Sequence, residues 1–182
     1  YQQADAPPLP ATKLNLKAPS TRQQLFQPID GKPFYHLAGQ QLNFLDEALV
    51  IPQGGRHGQG YVFASRTIDP QDWFFSCHFY QDPVMPGSLG VEAILQAMQI
   101  FAVQQNLGAE LASPHFTHVP KHKVVWIYRG QMTPVDGTMN LEVHISKIER
   151  GPNQVVIIGD ASLWKGNMRI YEVKDIALRL VS

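Results

Sequence analysis

Between Val91 and Val103 every residue is apolar except Glu92, Gln96 and Gln99. No proline interrupts the run, and Gly108 beyond it supplies a C-terminal cap, so the spacing predicts one long helix. A helix apolar almost all round must be covered on nearly every side. It requires a partner layer broad enough to wrap around it.

The remaining chain supplies strands for that layer. Residues 42–50 and 61–67 flank a glycine-rich loop at 52–60 and read as a hairpin. A phosphate cradle needs a glycine-rich turn that opens a helix, and here a strand follows. Strands are expected at 123–129, 140–149, 154–163 and 168–180, with hairpin turns at 134–137, 150–153 and 165–167. The 140–149 segment alternates apolar and polar residues, as a sheet with one wet face does. A second irregular stretch is expected at 112–122. One helix and six or more mostly antiparallel strands give an α+β class. A curved antiparallel sheet wrapped around the helix is the hot-dog arrangement.

The first 33 residues read differently. Pro7, Pro8, Pro10 and Pro19 stand among Gln and Ala with no sustained periodicity. That composition predicts a Pro-rich linker or extended segment over 1–33, with the folded domain occupying 34–182. The chain opens on Tyr1 rather than Met, which fits a piece of a longer protein.

Charge and cysteine content exclude several function classes. Fifteen basic and fifteen acidic side chains balance, so nucleic acid is not the expected partner. No run of eighteen apolar residues predicts a membrane span. Cys77 is the one cysteine, so no intrachain disulfide forms, and a cytoplasmic location fits. The histidines His115, His118 and His122 are clustered, but two prolines lie in the segment and no acid or cysteine is near to complete a shell. No metal and no cofactor is expected.

Chemistry concentrates between residues 73 and 96. Aromatic residues lead to His78, a candidate base. Cys77 beside it is expected to be buried filler, since neighbours in extended chain point to opposite faces. The loop from Asp82 to Ser88 then brings Pro86 and Gly87 to the helix start. There N–H groups lack intrahelical partners and carry the positive end of the dipole, and Gly87 N–H is the candidate for polarising a carbonyl. Glu92, Gln96 and Gln99 follow at i, i+4 and i+7, on one face. One reading makes them an exposed or interface-facing stripe. The other has Glu92 line a cavity as general acid, its carboxyl group held by Gln96 one turn on.

These residues carry a family resemblance. His78-Phe79, then Asp82-Pro83-Val84-Met85-Pro86-Gly87-Ser88-Leu89-Gly90, resembles hot-dog dehydratases of the 3-hydroxydecanoyl-ACP type. The likeness runs from about Gln40 to the C-terminus and includes Asp72-Trp73-Phe74-Phe75, Gly130-Gln131 with Pro134, and Asp175-Ile176-Ala177-Leu178. The Pro-rich start and the wording around Gly90 to Gln96 look most like a dehydratase domain of a polyunsaturated fatty acid synthase.

The resemblance implies dehydration of a (3R)-3-hydroxyacyl thioester on acyl carrier protein to the trans-2-enoyl thioester. His78 would remove the α-proton, Glu92 would protonate the departing hydroxyl, and Gly87 N–H would polarise the thioester carbonyl. Gln96, Ser88, Val84 and Pro86 are the expected substrate-binding and supporting residues. A homodimer, or pairing with a neighbouring hot-dog domain, would complete each site with His78 from one copy and Glu92 from the other. The decanoyl-type enzymes carry Asp at the acid position, so Glu92 favours dehydration and puts isomerisation in doubt. Two other readings remain open: an acyl thioesterase, and a non-catalytic half that binds acyl chains or braces an active partner. A carrier-protein surface should be basic, and Lys121, Lys123, Arg129 and Lys165 are the expected contributors.

Overall fold

The long apolar run forms α2 (Gly87–Gln104), and the strands close around it. In chain order the computed structural model contains β1 (Thr12–Asn15), α1 (Pro19–Phe26), β2 (Glu47–Ile51), β3 (Tyr61–Thr67), α2, β4 (His115–Thr117), β5 (Val125–Tyr128), β6 (Thr138–Gly151), β7 (Gln154–Lys165) and β8 (Met168–Val181). It describes residues 9–28 and 31–182. One antiparallel sheet runs in the order β1-β2-β3-β6-β7-β8-β4, with β5 also paired to β8. Register shifts between Ile145 and Lys147 and at two places between β7 and β8 interrupt the ladder, and such irregularities bend strands and increase twist. The result is a curved sheet around a helix that buries Ala93, Ile94, Ala97, Met98, Ile100 and Phe101. The hot-dog architecture expected from the strand count and the apolar helix is present.

Residues 12–26, within the segment expected to be a linker, are folded onto the domain. Strand β1 pairs with β2 from Thr12 opposite Val50 to Asn15 opposite Glu47. Leu14, Leu16, Leu25 and Phe26 are buried in the same core as α2. The prolines are accommodated because Pro19 sits in the first turn of α1, where a missing N–H costs nothing. Most of the expected proline run at 6–10, and the centre of the turn at 29–30, lie outside the described residues.

Four further expectations shift. The strand expected at 42–50 begins at Glu47, after a 3-10 turn at Gln40–Leu42. The helix ends at Gln104, and Asn106 rather than Gly108 takes the left-handed φ, at 49°. Gly108 is used instead for close packing, since its N–H donates to Tyr35 Oη and its carbonyl accepts from Lys32 Nζ. Within the stretch expected to be irregular, β4 pairs with the end of β8. The 134–137 turn is not a hairpin, because β5 pairs with β8 whereas β6 pairs with β3 and β7.

That turn is held by Asp136. Burial would raise its carboxyl pKa, but the Thr133 N–H and hydroxyl and the Lys165 ammonium outweigh burial and lower it.

Two outcomes follow from these contacts. Leu16→Ala and Leu25→Ala should each cost about 2–5 kcal/mol, as core truncations do. Denaturant midpoints should fall at unchanged slope, whereas a linker would show no change. For Asp136 the folded pKa lies below the unfolded one, so its contribution is present at neutral pH and lost as pH falls through the folded value, below about pH 4. Asp136→Asn should flatten the acid limb of a stability-against-pH curve.

Candidate active site

His78 is set by a tight loop. Residues Trp73–Ser76 form a 3-10 turn, and the His78 N–H donates to the Phe74 carbonyl at 2.9 Å. Beyond it Phe79 and Asp82 exchange backbone hydrogen bonds, and the Val84 N–H returns to the His78 carbonyl at 2.8 Å. The His78–Phe79 peptide is cis. His78 Nδ1 lies 3.0 Å from the Val84 carbonyl oxygen. A carbonyl only accepts, so Nδ1 carries a proton, and in the neutral ring the lone pair falls on Nε2. Val84, buried itself, thus fixes both the backbone and the tautomer of His78. Cys77 is exposed rather than buried, because it ends a 3-10 turn instead of lying in extended chain.

The helix start docks on aromatic rings. Trp126, Tyr128 and Tyr171 lie with centroids 5.2–5.6 Å apart. A Cβ on Gly87 would meet Trp126 at 3.0 Å, and one on Gly90 would meet Tyr171 at 2.3 Å. Glycine is therefore required at Gly90 for the helix to seat this closely. Tyr171 Oη donates to the Gly87 carbonyl at 3.3 Å, and burial pushes its phenol pKa up. Among the described residues no acceptor meets the Gly87 N–H. Pro86 caps the helix, half-buried, and Ser88 is exposed one residue inside it.

Glu92 is half-buried and is held from one turn away. Gln96 Nε2 donates to Glu92 Oε1 at 3.2 Å and to the Leu42 carbonyl, and Gln96 Oε1 accepts the Phe44 N–H at 3.0 Å. Gln96 is 1% exposed. Its amide is thus tied on both sides, and the carboxylate of Glu92 faces a fixed donor. Gln99 is half-buried. His78 and Glu92 of one chain share no hydrogen bond or ion pair among the described residues.

An apolar groove of about 410 Å³ runs beside this helix face, between Ser88, Val91 and Leu95 on one wall and Val124, Trp126 and Val173 on the other. A smaller hollow of about 130 Å³ continues it past Gln99 toward Thr117 and His118. A further concavity of about 400 Å³ lies on the outer face of β1–β3, between Lys13 and Phe63. It holds none of the groups at 73–99.

Sequence reasoning missed the support around Gln96. Arg66 Nη1 donates to the Asn43 carbonyl at 2.9 Å, and its other arm pairs with Asp72. Burial raises the Asp72 carboxyl pKa while the Arg66 guanidinium opposes that rise. The signal was available: Arg66 continues the inward register of Val62 and Ala64, where an arginine needs a partner. Two of the four expected docking cations are already engaged, Lys165 by Asp136 and Arg129 by Glu172.

The fold is a hot-dog domain. A family model for FabA-like domains matches residues 37–174, and the chain belongs to that family. It is 40% identical over 154 residues to a polyunsaturated fatty acid synthase polypeptide of Thraustochytrium sp., a match covering 80% of this chain and 10% of that protein. The chain therefore spans about a tenth of the length of that curated relative. Among solved structures it resembles the dehydratase heterocomplex ApeI:P from Xenorhabdus doucetiae, with 15% identity, a TM-score of 0.48 and coverage of 85% and 90% of the two chains. A mutant thioesterase from Pseudomonas aeruginosa matches with 12% identity, a TM-score of 0.39 and coverage of 66% and 74%.

Replacing Gln96 by Leu leaves the Phe44 N–H and the Leu42 carbonyl unpaired and Glu92 without its donor. Each buried orphan costs about 1–3 kcal/mol, so Gln96→Leu should lower stability by about 2–4 kcal/mol in denaturant unfolding.

Proposed function

We propose that this domain dehydrates (3R)-3-hydroxyacyl thioesters carried by an acyl carrier protein, giving trans-2-enoyl thioesters. The observation that carries the reading is the 3.0 Å contact of His78 Nδ1 with the Val84 carbonyl, which in the neutral ring leaves Nε2 as the basic nitrogen. Glu92, in the clamp of Gln96, and the Gly87 N–H at the helix start complete the set, and an apolar groove beside them suits an acyl chain. Membership of the FabA-like family and the likeness to a polyunsaturated fatty acid synthase support the same chemistry.

His78 Nε2 takes the α-proton, and the electron pair moves toward the thioester carbonyl. The Gly87 N–H meets the charge that develops on that oxygen, a contact worth roughly 3–4 kcal/mol in comparable sites. The pair then forms the α,β double bond as the C3–O bond breaks. Glu92, as the general acid, delivers a proton to the leaving hydroxyl, and water departs. The longer Glu92 side chain favours dehydration over a subsequent shift of the double bond. Ser88 and Pro86 line the approach to the helix start.

Pairing of two hot-dog units fits β5. Its four residues expose apolar side chains, and it pairs with β8 on one side. A second copy, or a neighbouring hot-dog domain, would cover that edge and bring its own His78 and Glu92. Lys121 and Lys123, exposed beside β5, remain available to steer an acidic carrier.

The test uses 3-hydroxyacyl and enoyl pantetheine thioesters, with absorbance at the enoyl thioester band as readout. His78→Asn and Glu92→Gln should each lower kcat/KM by about 10²–10⁴-fold, as loss of a general base or acid does. Free thiol release would indicate hydrolysis instead. Binding without turnover by the unmodified domain would indicate a bracing role. Analysis of the enoyl product for a 3-cis isomer separates dehydration alone from dehydration with isomerisation.

A further inference from the structure

Arg66 stands where the supports of Glu92 and His78 meet. It occupies the inward register of β3, following Val62 and Ala64. Its side chain is 13% exposed and that of its partner Asp72 12%. A buried cation needs a partner and filled hydrogen bonds. Arg66 finds both, in two different segments.

One arm reaches the support of the acid. Nη1 donates to the Asn43 carbonyl at 2.9 Å. Asn43 lies between Leu42 and Phe44, the two residues whose backbone groups bind the amide of Gln96. Gln96 in turn donates to Glu92. The guanidinium also lies over the Phe44 ring, 5.4 Å from its centroid.

The other arm reaches the support of the base. Nη2 donates to Asp72 Oδ1. Asp72 is the N-terminal cap of the Trp73–Ser76 turn, and its carbonyl accepts the Phe75 N–H at 3.0 Å. The Phe74 carbonyl accepts the His78 N–H, and the guanidinium lies 5.9 Å from the Phe74 ring centroid. A guanidinium presents five N–H donors in a rigid planar fork. Its two Nη groups hold their acceptors from separate, rigidly coplanar nitrogens, a spacing that the single nitrogen of an ammonium does not reproduce.

We infer that Arg66 is a positioning residue that sets the Glu92 and His78 supports together, with Asp72 as its counter-charge. The inference rests on the dehydratase reading for its catalytic consequence. Arg66 is not part of either groove wall, so it acts through Gln96 and through the turn before His78. Trp73 Nε1 donates to the Gln41 carbonyl at 3.1 Å, a second tie between the same segments. Loss of the guanidinium fork therefore loosens the two supports without separating them.

The test compares Arg66→Lys, Asp72→Asn and the unmodified domain in enoyl thioester hydration. Alongside it, amide hydrogen exchange is read at Phe44 and His78. Arg66→Lys should lower kcat about 10- to 100-fold, the scale expected for misplacement of about 1 Å, with KM within about two-fold. The Phe44 and His78 amides should exchange faster together. Arg66→Ala should recover activity in added methylguanidinium and not in added methylammonium. Full activity in Arg66→Lys, a KM effect alone, or faster exchange at one amide only would overturn the inference. If Arg66→Lys does not fold, Asp72→Asn carries the same comparison. If the unmodified domain shows no turnover, the dehydratase reading fails, and the paired exchange result still decides the coupling. If His78→Asn and Glu92→Gln abolish turnover while Arg66→Lys does not change it, the reading stands and the inference falls.

Discussion

Everything in this domain depends on covering α2. Burying a large aliphatic side chain is worth about 1.5–3 kcal/mol, and Ile94, Met98, Ile100 and Phe101 are all taken out of water. A flat sheet covers one side of such a helix. The long strands β6, β7 and β8 curve through irregularities in their pairing and so cover several. The helix face carrying Ser88, Val91 and Leu95 borders a groove instead. The polar side chains Glu92 and Gln99 lie beside that face. Packing and chemistry are thus parts of one arrangement, with the sheet covering the apolar arc and polar groups standing where coverage thins.

Gln96 shows the cost of placing polarity next to such a core. A buried amide with free donors and acceptors would cost more than a leucine. Here its oxygen and both directions of its nitrogen are used, by Phe44, Leu42 and Glu92. The irregular chain at 40–46 is ordered for the same reason. It is not a strand, so its backbone groups need partners from elsewhere, and Gln96, Arg66 and Trp73 supply them. Lack of regular structure there is what leaves backbone groups free to hold side chains.

Much of this was legible in the residues. The apolar run from Val91 to Val103 implied both the helix and its wrapping, and the i, i+4 spacing implied the Glu92–Gln96 contact. The loop from Asp82 to Ser88 announced itself by proline and glycine. What stayed hidden depended on distant partners. Leu14, Leu16, Leu25 and Phe26 are too sparse among Gln and Pro to show a period, and only pairing with β2 reveals them as core. The exposure of β5 was not legible either, because its apolar residues look the same as those of a buried strand in sequence. The exposure of Cys77 follows from a 3-10 turn, which no alternation of residue types signals. Arg66 was legible in principle, through its register with Val62 and Ala64.

The family match spans residues 37–174, whereas the sheet begins at Thr12. A module cut or grafted at the family boundary would leave β2 as a bare edge, with the backbone groups that β1 satisfies turned outward. Unprotected edges of this kind recruit strands from other chains. Transfer of this domain to another protein would therefore have to carry the first strand along. Its functional perimeter is wider than the stretch by which relatives are recognised.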